Sequence, residues 1–357
     1  QHVGIAAPAV IDVFHERYPW LLGRSGSQPV LRVAPDTLLV FIIGTILPSG
    51  RLPPSCRASP GHTLRTCARS GSWGRMAATA LYSRPLSRPV SHAETPDTPA
   101  STSHPTDATS QRLIDAAARL RDELEALRFA PPVAHVYNPL QYAWEAHAAY
   151  LTRYGQGHKK IMFLGMNPGP FGMMQTGVPF GEVSAVRDWM GIEAPVQAPP
   201  HQHPKRPIDG FACTRSEVSG RRLWGWIGRR FGHADDFFAQ AIVINYCPLV
   251  FLEASGKNRT PVQLPAAEQR ALEAPCDRHL AAVIEALQPQ WLIGIGGFAE
   301  KRLHHVVSEV LDDRPLARRL HIGHVLHPSP ASPAANRGWD EVVDRQMQEY
   351  GLLPVPE

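Results

Sequence analysis

Two asparagines and one histidine stand just beyond three of the four short apolar runs in this chain, and they are the residues whose types and spacing could do chemistry. The run Ile161–Leu164 leads into Gly165-Met166-Asn167-Pro168-Gly169-Pro170-Phe171-Gly172, then Thr176-Gly177-Val178-Pro179-Phe180-Gly181-Glu182. Ala241–Ile244 leads into Asn245-Tyr246-Cys247-Pro248, and His321–Leu326 into His327-Pro328-Ser329-Pro330. An amide orients its partner and a neutral imidazole donates to it, whereas an amide cannot act as a proton-accepting base at neutral pH. Each residue alone has a plainer reading. Gly and Pro punctuate ordinary strand-to-helix turns, Asn favours turns for its backbone habits, and a lone His after a strand is usually structural. Convergence of the three on one sheet edge is what points to a site.

The elements that would bring them together follow from the apolar pattern. Ile161–Leu164, Ala241–Ile244, Trp291–Ile295 and His321–Leu326 read as buried parallel strands, with helices at Ser219–Phe231, Pro265–Leu287 and Phe298–Leu311 as crossovers. The expected fold is α/β: a three-layer α/β/α sandwich around a central, mainly parallel four-stranded sheet. Ligands in such sheets sit beyond the carboxyl ends of the strands. Ahead of the sheet, Leu113, Ala117, Leu120, Leu124 and Leu127 have helical spacing behind a cap at Ser110, in a helix that stops before Pro131 and Pro132.

Composition separates the front of the 357-residue chain from the rest. Residues 1–105 hold ten Lys and Arg against five Asp and Glu, whereas the remainder is close to neutral. Within 51–93 there are seven arginines, no acid and no apolar period. The expected organisation is a disordered basic, Pro/Ser-rich extension and linker over 1–109, then one folded domain over 110–357. Met76 opens an Ala/Ser/Arg-rich stretch, read either as the start of the native chain or as a transit peptide. Five scattered cysteines without C-x-x-C spacing argue against a disulfide framework, a zinc site or an iron–sulfur cluster, and suit a reducing compartment. The run Leu38–Leu47 is too short to cross a bilayer, so no membrane span is expected. Gly294-Ile295-Gly296-Gly297 misses the dinucleotide fingerprint at Ala299.

The string GMNPGPFGMMQTGVPFGEV, the HPKRP stretch His203–Pro207, TRSEVSG, Asn245–Pro248, ASGKNRTP and HPSP…NRGW occur in that order between about Tyr137 and Pro354. This arrangement resembles the single-strand-selective monofunctional uracil-DNA glycosylases. The first 105 residues have no counterpart there. The resemblance implies the uracil-DNA glycosylase fold, hydrolysis of the N-glycosidic bond of uracil in DNA during base excision repair, and no metal or organic cofactor. It also implies tolerance of C5-oxidised uracils such as 5-hydroxymethyluracil. The implied partner is DNA, single- or double-stranded, for a monomeric intracellular enzyme, cytoplasmic if bacterial and nuclear if eukaryotic. The 31 Arg against 5 Lys suit a GC-rich bacterial genome.

By the same resemblance His327 donates to uracil O2 and Asn167 positions the attacking water, a place where the classical enzymes have Asp. Asn245 would read the base edge, Phe180 would stack on the flipped ring, and Met166 would supply backbone to the pocket floor. Gly169 stands where the classical relatives place a Tyr, which leaves room at C5. Glu182 is assigned a structural role in its loop. Two loops would hold DNA: Ser255, Gly256, Lys257, Asn258 and Arg259 in one, and Pro328, Ser329 and Pro330 with Arg337 in the other, a proline-stiffened segment reaching Trp339. Ala331 departs from the family, which has Arg directly after HPSP. A non-catalytic nucleic-acid or nucleotide binder on the same scaffold is the alternative reading.

Overall fold

The computed structural model of the chain describes residues 107–354 together with two short strands nearer the front, Leu22–Ser25 and Gln28–Leu31, which pair antiparallel. The chain divides into two units, Gln1–Thr98 and Pro99–Glu357. Apart from that strand pair, the extension expected to be disordered lies outside the described residues up to Asp107.

Helix α1 (Ala108–Glu125) begins ahead of the expected Ser110 cap. Asp107 is the cap: one carboxylate oxygen accepts from the Ser110 amide at 2.7 Å and the other from the Gly157 amide at 2.8 Å. A full negative charge suits the positive end of the helix, and Ser110 itself is buried, its hydroxyl donating to the Thr152 carbonyl. Leu113, Ala117, Leu120 and Leu124 form the apolar stripe of α1, which packs on α4 (Ala266–Leu287) and α2 (Trp144–Tyr154).

The three strands β1 (Val133–Tyr137), β4 (Val250–Glu253) and β5 (Asn258–Arg259) make a small antiparallel sheet that the sequence pattern did not announce. The four apolar runs form the expected parallel sheet as β2 (Ile161–Gly165), β3 (Ala241–Asn245), β6 (Trp291–Ile295) and β7 (His321–Val325), in the order β3-β2-β6-β7. Every residue of β2 and β3 is buried, which requires cover on both faces. Helices α3 (Val218–Phe231), α5 (Gly297–His305) and α6 (Pro333–Glu349) add to that cover. Trp226 of α3 packs edge-on to Trp339 of α6 and donates its indole N–H to Asp344 at 2.8 Å. Among the described residues, no helix is long and apolar enough to cross a membrane.

Register is what matters for the site. Ile161 pairs with Ala241 and with Trp291, and Trp291 pairs with His321, so the four strands start level. With five residues each, they also finish level, at Gly165, Asn245, Ile295 and Val325. The segment expected to be a loop as far as Trp339 is a loop only to Ala331. Ser332 then caps α6, accepting from the Ala335 amide at 3.2 Å, with Pro333 at its first position. Pro is tolerated there because the first turn has no N–H partner to lose. Arg337 therefore sits on a helix, one residue before a kink at Gly338.

Candidate active site

At the level edge, Gly165 and Asn245 are register partners, and pairing continues past the sheet as Tyr246 N–H donates to Gly165 O and Cys247 N–H to Met166 O, both at 2.9 Å. The Met166 backbone thus extends the strand pairing towards the expected pocket floor. A side chain at Gly165 would run into Asn245 Oδ1 and the ring of Phe180, so both groups lie against that glycine. Asn245 is buried, its Nδ2 lies 3.3 Å from Met173 Sδ, and its Oδ1 has no partner among the described residues. Leaving a buried acceptor unpaired costs on the order of 1–3 kcal/mol, a cost that a hydrogen-bonding ligand would remove.

Phe180 holds a positive φ of 51°, unusual for a bulky residue. Its carbonyl accepts from Trp224 Nε1 at 3.0 Å and from the Glu182 amide at 2.7 Å, and only a glycine at position 220 fits against that oxygen. The ring faces His327, with centroids 6.2 Å apart. His327 packs on Gly296, whose φ of 87° and missing side chain let the imidazole lie close to the strand end. The Ser329 amide donates to His327 Nδ1 at 3.1 Å. That nitrogen is therefore an acceptor and the neutral ring carries its proton on Nε2. Burial lowers the His327 pKa below the ordinary imidazole value, which keeps the ring neutral.

Asn167 Nδ2 donates to the Leu249 carbonyl at 3.2 Å, which fixes the amide and leaves Oδ1 as an acceptor. Glu182 does what its loop requires: Oε2 accepts from Ser184 Oγ at 2.6 Å and from the Ala185 amide at 3.1 Å. Beside Gly169 the neighbour is Glu217, whose Oε1 would lie 3.6 Å from a Cβ there, so a methyl-sized group would fit in ordinary contact with that carboxylate. Glu217 caps α3 through the Ser219 and Gly220 amides. Burial raises its pKa above the usual carboxylate range, against those two donors.

The two expected DNA loops differ in how much they can offer. Ser255–Arg259 is the hairpin between β4 and β5, turned by Gly256 at φ 83°. Arg259 is already engaged, pairing with Glu253 at 2.8 Å and donating to Gln263 O at 2.7 Å, and Asn258 is half-buried. Ser255 and Lys257 are the exposed members. In the other loop Pro330 and Arg337 are exposed, and the carbonyls of Pro328 and Ser329 accept from Arg222 Nη1 at 3.0 and 3.3 Å. Arg222 Nη2 also donates to Asn336 Oδ1 at 2.8 Å, and Asn336 Nδ2 donates to Pro330 O at 2.8 Å. Arg222 and Asn336 thus brace the histidine loop. Sequence reasoning missed both, although Arg222 stands only two residues past the TRSEVSG string.

Residues 152–345 match the family description Uracil DNA glycosylase superfamily. The single-strand selective monofunctional uracil DNA glycosylase of Bos taurus is 48% identical over 237 residues, spanning 66% of this chain and 85% of that protein. The Mus musculus protein of the same name is 46% identical over 246 residues, 69% of this chain and 86% of its own length. A solved structure, wild-type SMUG2 of Pedobacter heparinus, is similar with a TM-score of 0.48 and 19% identity, covering 66% of this chain and 97% of that one. Because the superfamily match takes in the strand-end loops built above, and near-half identity extends over most of each mammalian relative, the chain belongs to the single-strand selective monofunctional family of uracil-DNA glycosylases.

Proposed function

We propose that the pocket between Asn245, Phe180 and His327 takes a uracil flipped out of DNA and releases it by hydrolysis, in the first step of base excision repair. As a uracil-DNA glycosylase the chain breaks an N-glycosyl bond, here C1′–N1. The electron pair leaves on uracil N1 and spreads to O2, while positive charge develops on the sugar. His327 Nε2–H donates to O2, a contact that strengthens as charge develops and so favours the transition state over the bound substrate. Asn167 Oδ1 orients a water towards C1′; the water oxygen forms the new bond and its proton goes to solvent, since an amide does not take it.

Asn245 supplies selectivity in this reading. Its unpaired Oδ1 accepts from N3–H and its Nδ2 exchanges the weak Met173 sulfur contact for O4, a pattern that cytosine mismatches. Gly169 carries no side chain to crowd C5, and this supports 5-hydroxymethyluracil as a second substrate. The observation on which this rests most is the Ser329 amide bound to His327 Nδ1, which puts the donor proton on the nitrogen the chemistry needs.

Single-turnover release from matched oligonucleotides carrying U, 5-hydroxymethyluracil, T or C, as single strands and duplexes, tests it. Release of U and 5-hydroxymethyluracil from both forms, with T and C retained, is expected. DNA binding without base release would establish the non-catalytic binder instead.

A further inference from the structure

Phe171, two residues beyond Gly169, carries a guanidinium from each of two other segments. Arg215 lies 4.2 Å and Arg206 5.4 Å from its ring centroid. Among the described residues neither arginine pairs with a carboxylate. Arg206 donates to the carbonyls of Gly256 and Lys205, and Arg215 is exposed. Two cations drawn to one ring without a paired carboxylate repel each other, and an anion that binds both relieves that repulsion. A guanidinium held against an aromatic ring still offers N–H donors in the forked geometry that phosphate accepts.

The arrangement is held in advance. Buried Gln175 donates to Pro170 O at 3.1 Å and Pro207 O at 3.0 Å, and accepts from the Asp209 and Gly210 amides at 2.9 and 3.1 Å. Four hydrogen bonds from one side chain thus tie the loop of Phe171 to the loop of Arg206. Arg215 also lines an open cleft of about 360 Å³, with Phe211, Thr214 and Ser216 on one side and Ser184 on the other. The cleft's other charges are committed: Arg187 pairs with Asp188, and Glu182 accepts from Ser184 and Ala185.

We propose that Arg206, Phe171 and Arg215 form a clamp for the single DNA strand next to the excised nucleotide, the two guanidiniums gripping a phosphodiester while the cleft receives the neighbouring unstacked base. The proposal rests on the glycosylase reading only for where the strand comes from. An unpaired base offers its face to aromatic and guanidinium planes, whereas a base inside a duplex is already stacked. The clamp therefore favours single strands, and it works without a wedge side chain at Ala331.

Fluorescence anisotropy with the full-length chain tests the clamp, using a labelled thymine-only single strand and its duplex over a range of salt. Neither probe can be excised, so the clamp can fail while excision of uracil by the unaltered protein stands, and the reverse. Arg215→Ala is expected to weaken single-strand binding roughly tenfold and to lower the salt slope by about one, with a smaller loss on duplex. Phe171→Ala should weaken it by a similar factor through lost stacking, and Phe171→Tyr should restore it. Arg215→Lys, at an exposed position that does not threaten folding, should recover the salt slope without recovering the affinity. Single-strand affinities within twofold of the unaltered protein, or equal losses on single strand and duplex, would overturn the clamp.

Discussion

At the scale of the residue, His327 has a charge state set by its neighbours. With the Ser329 amide donating to Nδ1, protonation would set two donors against each other, and burial opposes the charge as well. Its folded pKa is lowered, so the neutral form persists down to a pH below the ordinary ~6.5 of imidazole. The single-turnover rate should therefore stay level as pH falls from 8 to 7 and decline only on the acid side of that value. An acid limb centred above it would show that His327 is not held neutral. Asn245→Asp should slow uracil release steeply, because a carboxylate still accepts from N3–H but repels O4, while the cytosine amino group now finds an acceptor. An unchanged uracil rate would mean that Asn245 does not touch the base. The three strand-end residues were legible because Asn or His within three residues of an apolar run is visible in one dimension. Glu217 and Gln175 were not, since what they do depends on loops brought beside them by the fold.

Elements were legible in proportion to their periodicity. The four parallel strands and the helices behind them match the structure closely, because strands buried on both faces have an unbroken apolar signature. The β1-β4-β5 sheet has strands of five, four and two residues, too short for a pattern to emerge. Helix α6 was hidden by Pro330, Pro333 and Gly338, which punctuate a loop in sequence but serve here as approach, first turn and kink. The bracing of the histidine loop by α3 makes its own prediction. Arg222→Ala removes donors to the carbonyls of Pro328 and Ser329 and should lower the chemical rate about tenfold with DNA affinity little changed, whereas Arg222→Lys should recover part of the rate. Comparing single-turnover rates with binding constants checks it, and equal loss of both would contradict it. In the same loop Ala331 is exposed. Ala331→Arg should raise the rate on duplex more than on single strands at saturating enzyme, since only a duplex leaves a gap to fill. Equal gains would show that the loop does not enter the stack at this position.

At the scale of the whole molecule, the chain from Asp107 onward has its own core and caps its own first helix, so removing residues 1–106 should leave uracil release intact. A tenfold loss would contradict that. Acid stability is set partly by His147, buried with its ring bonded to the Gly177 carbonyl at 2.8 Å and its pKa pushed down by burial to about 4. The unfolded chain binds that proton near pH 6.5, so the stability tied to this group is complete above that pH and is lost as pH falls through about 4. The loss amounts to roughly 3 kcal/mol and is measurable by denaturant unfolding across that range. The central claim is that this chain releases uracil through a neutral histidine donor and an amide-held water. The most direct measurement is the single-turnover rate on a uracil-containing single strand for the unaltered protein, His327→Ala and Asn167→Ala, with affinity measured alongside. The predicted result is a loss of about 100- to 1,000-fold in rate for each variant with DNA affinity little changed. Near-full rate with lost affinity in either variant would contradict it.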